Sequence, residues 1–309
     1  MTHHDPSSPP APAADPPSDH SVLSLMNSAA AHLGSLRFEE ARLHVEWMLA
    51  RVLDLKRLDL YLQFDRPLTR DEVSRFKAMY RRRLDHEPLQ YILGDTEFLG
   101  HRFLVDRRVL IPRPETELLA ERAIELLRGQ DLERPRVLDI GTGCGCIALS
   151  VAARVPGAEV TAIDLSSGAL EVAAANAECL LPGRVEFLQG DIRKEILTDR
   201  SFDLILANPP YIPLADYERL QPEVLGFEPR EALTDGGDGT LFLARILAFA
   251  ASRLTDGGTL LMEMGSGQDV WCAQKAGEAG LVPVVVHPDH AGIPRVLEAC
   301  RRDAAGGRA

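Results

Sequence analysis

Val137-Leu138-Asp139-Ile140-Gly141-Thr142-Gly143-Cys144-Gly145 reads as a strand that breaks on a glycine-rich turn and then enters a helix. Glycine permits positive φ and lets a ligand approach the backbone closely. The dinucleotide fingerprint is Gly-x-Gly-x-x-Gly on such a strand–turn–helix unit. Here the sixth position is Cys146 and the third glycine comes early, at Gly145, which weakens a pyrophosphate-binding reading.

Outward from this turn, apolar runs alternate with helical patterns. Strands are expected at 136–140, 159–163, 184–188, 202–207, 258–263, 282–287 and 295–299, with helices between most of them. That alternation implies an α/β fold around one mainly parallel seven-strand sheet. The stretch between the last two strands is too short for a crossover helix, so those two should pair antiparallel.

Ligands bind outside the carboxyl ends of the strands in open α/β sheets. Four successive expected strands end in residues that carry chemistry. The first ends in the glycine turn. The second ends at Asp164, whose carboxylate can accept from both hydroxyls of a ribose or can cap the following helix. The third runs into Gly190-Asp191-Ile192, where Asp191 can accept from an adenine amino group and Ile192 can pack on its ring; a plain turn is the other reading. The fourth runs into Asn208-Pro209-Pro210-Tyr211. Proline has no N–H, so the two prolines leave a turn that offers only carbonyl acceptors. With the Asn208 side-chain oxygen added, the turn can hold an –NH₂ group by both hydrogens, and the Tyr211 ring can cover the face of a planar amide or base. Alone, a Pro-Pro pair is also an ordinary strand breaker.

Composition narrows the setting. The chain has 309 residues, 45% hydrophobic and 26% charged, which suits about two globular domains. Its net charge is −12, unevenly spread: residues 21–115 hold 16 Lys/Arg against 14 Asp/Glu, so the acidic excess belongs to the C-terminal two-thirds. A generic nucleic-acid binder would show a basic footprint instead. The five cysteines (Cys144, Cys146, Cys179, Cys272 and Cys300) are odd in number and form no CxxC pair, so neither a disulfide framework nor a zinc knuckle is expected. Cys144-x-Cys146 has no second pair to complete a metal site and reads as two small buried side chains. No run of 18 apolar residues and no signal peptide is evident, so a cytoplasmic protein without membrane or metal is expected.

Residues 1–20, rich in Pro, Ala, Ser and Asp, are expected to form a disordered tail, with His3 and His4 solvated in it. Residues 21–87 read as a helical domain. Leu23, Met26 and Ala30 share one face; Phe38, Ala41, Val45, Met48, Leu49 and Val52 repeat at helical spacing. Thr69 and Glu72 have the spacing of a capping box. Arg81-Arg82-Arg83 falls in a last helical turn, where cations suit the helix dipole, or contacts an acidic partner. Residues 88–114 read as a β-hairpin bridge built on Gln90-Tyr91-Ile92-Leu93-Gly94, Phe98-Leu99-Gly100 and 101–105. A catalytic domain is expected over 115–303, beginning with a helix through Leu118 and Leu127, with a tail at 304–309.

These motifs together resemble a known family. Asp139-x-Gly141-x-Gly143-x-Gly145 is similar to motif I of S-adenosylmethionine-dependent methyltransferases, and Asn208-Pro209-Pro210-Tyr211 resembles the turn of amino-group methyltransferases. Gln90-Tyr91-Ile92-Leu93-Gly94, Phe98, 110–117 (Leu-Ile-Pro-Arg-Pro-Glu-Thr-Glu), 228–233 with Gly237-Asp238-Gly239, and 291–296 resemble the peptide-chain release factor N5-glutamine methyltransferases, over about residues 25–303. The resemblance implies a seven-strand, Rossmann-like class I methyltransferase sheet preceded by a small helical domain and a β-hairpin bridge. It implies S-adenosyl-L-methionine as cofactor, S-adenosyl-L-homocysteine as product, and the Gly-Gly-Gln loop of class 1 release factors as substrate, with no nucleic acid. Cofactor positions fall on Gly141, Thr142, Gly143, Cys144, Gly145, Asp164, Ile192 and Asn208, and substrate contacts on Asn208, Pro209, Pro210 and Tyr211. Met264 stands where Ile or Leu is expected, and Ile192 where some members carry an aromatic.

Methyl transfer from a sulfonium is an in-line displacement, so placement supplies much of the catalysis. Asn208 and the Pro209 carbonyl are expected to hold the two amide hydrogens, with Tyr211 over the amide face. Arg113 and Glu115 position the substrate loop or close over the cofactor, unless they form a structural pair. Phe98 lines the glutamine pocket or packs in the hairpin; Glu228 and Arg230 bind the partner or brace the Asn208 turn. Three other functions compete: methylation of a ribosomal-protein glutamine, methylation of adenine in nucleic acid, and cofactor binding without catalysis. The second needs a basic groove and a target-reading domain.

Overall fold

The structure is a computed structural model that describes residues 17–302. His3, His4 and the expected tail at 304–309 lie outside the described residues, as does the expected N-terminal tail up to residue 16. From Pro17 onward that stretch is ordered: β1 (Pro17–Ser21) pairs antiparallel with β2 (Pro67–Thr69). The chain forms two compact units that divide between Leu93 and Gly94.

The first unit is built on α1 (Val22–Ser35), α2 (Ala41–Leu53), α3 (Arg70–Leu84) and α4 (Leu89–Leu93). Its core gathers Val22, Met26, Leu33, Val45, Met48, Leu49, Leu60, Leu68 and Phe76. Thr69 and Glu72 close the expected capping box: the Thr69 N–H donates to Glu72 Oε2 at 2.8 Å, and the Glu72 N–H donates to Thr69 Oγ1 at 3.2 Å. The run expected to be β-like at 90–94 is mostly helix. Five residues are too few for periodicity to separate strand from helix, and arginines satisfy the helix's terminal carbonyls. Arg82 donates to the Tyr91 carbonyl at 3.1 Å, and Arg51 donates to that of Leu93 at 2.7 Å. Arg82 also grips Glu87 through two hydrogen bonds, while buried Arg83 donates to the Glu87 carbonyl and lies over the Phe38 ring. Two arginines of the basic run therefore fasten the unit's own C-terminal segment.

The second unit opens with a hairpin, β3 (Asp95–Phe98) and β4 (His101–Leu104), turning on Leu99 and Gly100. Both turn residues have positive φ, the geometry that matches strand twist in two-residue hairpins. Next comes α5 (Pro114–Gly129), with Pro114 at its first position, where a missing N–H costs nothing. The sheet holds β5 (Arg136–Ile140), β6 (Glu159–Asp164), β7 (Val185–Gln189), β8 (Phe202–Ala207), β9 (Leu254–Glu263), β10 (Leu281–Pro288) and β11 (Pro294–Arg301). The intervening helices are α6 (Cys146–Arg154), α7 (Ser167–Leu180), α8 (Leu214–Tyr217), α9 (Pro222–Phe227), α10 (Leu241–Arg253) and α11 (Asp269–Glu278).

The strand order is β10-β11-β9-β8-β5-β6-β7. β5, β6, β7, β8 and β9 run parallel, and β11 pairs antiparallel with both β9 and β10. This is the seven-strand class I methyltransferase sheet. β5 and β8 are central and buried on both faces: Val137, Leu138, Ile205, Leu206 and Ala207 have no exposed surface. The order reverses at β5, which has β6 on one side and β8 on the other. A crevice opens at such a switch point, outside the carboxyl ends of the strands. The glycine turn and the Asn208 turn both leave from there.

Candidate active site

A cavity of about 400 Å³ opens at this switch point. Gly141, Gly143, Asp164, Asp191, Ile192, Asn208, Pro209 and Pro210 line it. Gly141, Gly143 and Gly145 all have positive φ. A Cβ on Gly145 would also approach the Ala173 Cβ to 3.2 Å, so this glycine lets α6 start close against α7. Thr142 and Cys144 are buried and shape the turn from behind. Thr142 Oγ1 donates to Asp139 Oδ2 at 2.7 Å, and burial pushes the Asp139 carboxyl up to about 7. Cys144 and burial push the Cys146 thiol well above its ordinary range.

Asp164 is held by backbone. Its Oδ2 accepts from the Gly143 N–H and its Oδ1 from the Ser166 N–H, each at 2.9 Å. Ser166, not Asp164, caps α7. Each carboxylate oxygen keeps a further acceptor site for a diol. Burial raises this carboxyl above its ordinary range against those two donors. Asp191 reaches the cavity wall with its carboxylate already paired: Arg193 Nε and Nη2 donate to its two oxygens at 2.9 and 3.0 Å and hold it below the usual range. An adenine amino group would share that carboxylate with the guanidinium.

The wall is acidic. Asp164, Asp191 and Glu231 line the cavity, and Arg108, the one cation among its lining residues, is paired with Asp106 and Glu171. Such a wall repels a pyrophosphate and favours a cationic ligand. Leu165, Ile192, Phe242 and Ile246 supply apolar surface for a ring. The donor set fits S-adenosyl-L-methionine better than a dinucleotide.

The Asn208 turn is held by a chain of side chains. Asn208 Nδ2 donates to Thr116 Oγ1 at 3.0 Å, Thr116 Oγ1 donates to Glu263 Oε2 at 2.7 Å, and the Tyr211 hydroxyl donates to Glu263 Oε1 at 3.0 Å. Thr116 and Glu263 are both buried. Burial pushes the Glu263 carboxyl above its ordinary range, opposed by those two hydroxyls and by Arg295. Burial, and then the Glu263 charge, push the Tyr211 phenol well above its ordinary value, so it stays a donor. The backbone is pinned as well: Gln268 Nε2 donates to the Tyr211 carbonyl at 3.1 Å, while its Oε1 accepts from the Gly265 N–H at 2.8 Å. A Cβ on Gly239 would lie 2.2 Å from the Tyr211 carbonyl oxygen, which explains the glycine in the Gly237-Asp238-Gly239 loop.

Other expected site residues stand elsewhere. Phe98 is 1% exposed and packs edge-on against Phe103, a core position that gives it no place in the cavity wall. Arg113 is not in the wall either; it pairs with buried Glu228 at 2.6 Å, and Glu228 also accepts from the Ile111 N–H at 3.2 Å. That pair joins the segment before α5 to the loop after α9. Tyr211 sits behind the turn rather than in the wall. Thr116, Glu263 and Gln268 are functional candidates that sequence reasoning missed. The hints were Thr116 inside the 110–117 segment and a lone acid closing the apolar run Leu260-Leu261-Met262.

Residues 24–94 match the PrmC N-terminal domain family, and residues 133–273 match a methyltransferase domain family. The chain is 44% identical over 251 residues to the release factor glutamine methyltransferase of Chlorobaculum tepidum, covering 79% of this chain and 85% of that protein. It is 41% identical over 276 residues to that of Geobacter sulfurreducens, covering 89% and 95%. Among solved structures, the hMettl16 catalytic domain in complex with a MAT2A 3′UTR hairpin shares the fold alone, with a TM-score of 0.53 at 18% identity over 78% of this chain and 86% of that one.

Proposed function

Because the chain belongs to the release factor glutamine methyltransferase family, we propose that the Asn208 turn holds a substrate glutamine by both hydrogens of its side-chain amide. The enzyme methylates the N5 nitrogen of glutamine; we place that glutamine in the Gly-Gly-Gln loop of class 1 release factors. S-adenosyl-L-methionine, when bound, supplies a methyl group activated by its sulfonium. Gly141, Gly143, Asp164, Asp191, Ile192 and Asn208 are the residues to hold it.

An amide nitrogen is a weak nucleophile because its lone pair is delocalised into the carbonyl. Asn208 Oδ1 and the Pro209 carbonyl accept its two hydrogens and turn the lone pair toward the incoming methyl carbon. The N–C bond forms as the S–C bond breaks, and positive charge grows on nitrogen. Acceptors already in place stabilise that charge without reorganising. The charged nitrogen then sheds one proton to water, so no strong base is required. Pro209 and Pro210 line the cavity beside Asn208 and bring no N–H that would repel the amide hydrogens. Tyr211 supports the turn from behind through Glu263.

The observation that carries this reading is that Asn208 and two prolines without N–H groups line an acidic cavity, at the same switch point as the glycine turn. The test offers labelled S-adenosyl-L-methionine with a class 1 release factor, its Gly-Gly-Ala variant, ribosomal proteins and duplex DNA. Label should enter the release factor and not the variant. Label in a ribosomal protein or in DNA instead would overturn the substrate assignment.

A further inference from the structure

We propose that Thr116, held by Glu263, is a positioning residue that fixes which end of the Asn208 amide faces the substrate. The inference rests on the reading of Asn208 given above. Its force comes from the direction of each hydrogen bond. Glu263 accepts on both oxygens, Oε1 from the Tyr211 hydroxyl and Oε2 from Thr116, so the Thr116 hydroxyl spends its single hydrogen on Oε2, 2.7 Å away. Thr116 Oγ1 can then only accept from Asn208, and the partner 3.0 Å away must be Nδ2. That choice turns Asn208 Oδ1 away from Thr116 and leaves it free as an acceptor.

Without the relay, the amide can flip about its last torsion. A flipped Asn208 would present N–H hydrogens to a substrate whose own amide presents N–H hydrogens, and the two would repel. Three features make the device stiff. Thr116 is 2% and Glu263 1% exposed, so water does not compete for their hydrogen bonds. Thr116 sits in the first turn of α5, with Pro114 fixing the helix start. Glu263 closes β9, and its second oxygen is occupied by the Tyr211 hydroxyl. The Asn208 amide and the Tyr211 ring are thus tied to one buried carboxylate.

Thr116→Val keeps the shape and removes both halves of the relay; Thr116→Ser keeps the hydroxyl. With a release-factor substrate, Thr116→Val should lower kcat about ten- to a hundredfold, the scale of a small misplacement at the reacting centre, while KM and cofactor affinity stay near the parent's. Thr116→Ser should restore most of the rate. Added to Asn208→Ala, Thr116→Val should cost nothing further, because its effect passes through Asn208. A second readout needs no turnover. The chain has three asparagines, Asn27, Asn176 and Asn208, so ¹⁵N-asparagine labelling isolates the Asn208 side-chain amide. Its hydrogens should exchange slowly with solvent in the parent and in Thr116→Ser, and fast in Thr116→Val.

If Asn208→Ala itself turns over like the parent, the underlying reading of Asn208 fails. If Asn208→Ala is slow but Thr116→Val is not, the relay fails while that reading stands. Equal losses from Thr116→Val with and without Asn208 would make Thr116 a structural residue only and overturn the proposal.

Discussion

At the end of β5 the chain turns on glycines 141, 143 and 145, all at positive φ; at the end of the neighbouring β8 it turns on Asn208 and two prolines. The first turn works through what it lacks. Without Cβ atoms it lets a ligand approach the backbone closely and lets α6 start close against α7. The second works through what stands behind it. It is held by Thr116 and by Glu263 and Gln268, from two other parts of the chain. The glycine turn should therefore fail when anything is added to it, and the Asn208 turn when a distant support is taken away. Under the proposed function, one turn governs how well the cofactor is held and the other how fast the methyl group moves.

Four variants probe that division, from the largest expected effect to the smallest. Asn208→Ala should lower the single-turnover rate by roughly 10²–10³, the cost of losing one preorganised polar contact; a quench-flow measurement at saturating cofactor reads it. Gly145→Val should weaken cofactor binding by roughly ten- to a hundredfold, since about 1–3 kcal/mol of backbone strain enters at a positive φ; calorimetric titration with S-adenosyl-L-homocysteine reads it. Asp164→Asn turns an –NH₂ toward one of the two N–H groups the carboxylate accepts from, and should weaken the same titration about tenfold.

Asp139→Asn should act on stability, with a pH dependence of known sign. Burial raises the folded carboxyl to about 7, whereas an unfolded Asp titrates near 3.9. The folded state therefore keeps its proton to higher pH, and stability falls as pH rises from about 4 to about 7. Asparagine has no charge to lose. The variant should melt near the parent at pH 4 and above it at pH 8, by up to about 4 kcal/mol at this fully buried site. A melting series across that range in which the two proteins stay parallel would contradict the assignment.

The two turns also differ in how far the sequence announces them. The glycine turn and the Asn-Pro-Pro-Tyr turn are legible because their chemistry lies in the residue types themselves, and the apolar runs before them place both at strand ends. The seven strands of the sheet follow from the same runs, to within a few residues. Thr116 and Glu263 are different. They lie 147 residues apart, and only the packing of α5 against β9 makes them neighbours. A threonine in a helix start and a glutamate ending a strand are ordinary alone. Arg113 and Glu228 meet in the same way, across 115 residues. Phe98 shows the opposite error: an aromatic near a motif suggests a pocket, yet the alternation of its hairpin turns it into the core. The helix at Leu89–Leu93 escaped because arginines from α2 and α3, not local sequence, satisfy its carbonyls.

The most direct test sets rate beside affinity in two proteins, Asn208→Ala and Gly145→Val, with a release factor as substrate. At saturating cofactor, Asn208→Ala should be slow by two to three orders of magnitude with the smaller change in cofactor affinity, and Gly145→Val should show the reverse. Single-turnover methyl transfer by Asn208→Ala at the parent's rate would contradict the claim that this turn is the amide-holding half of the site.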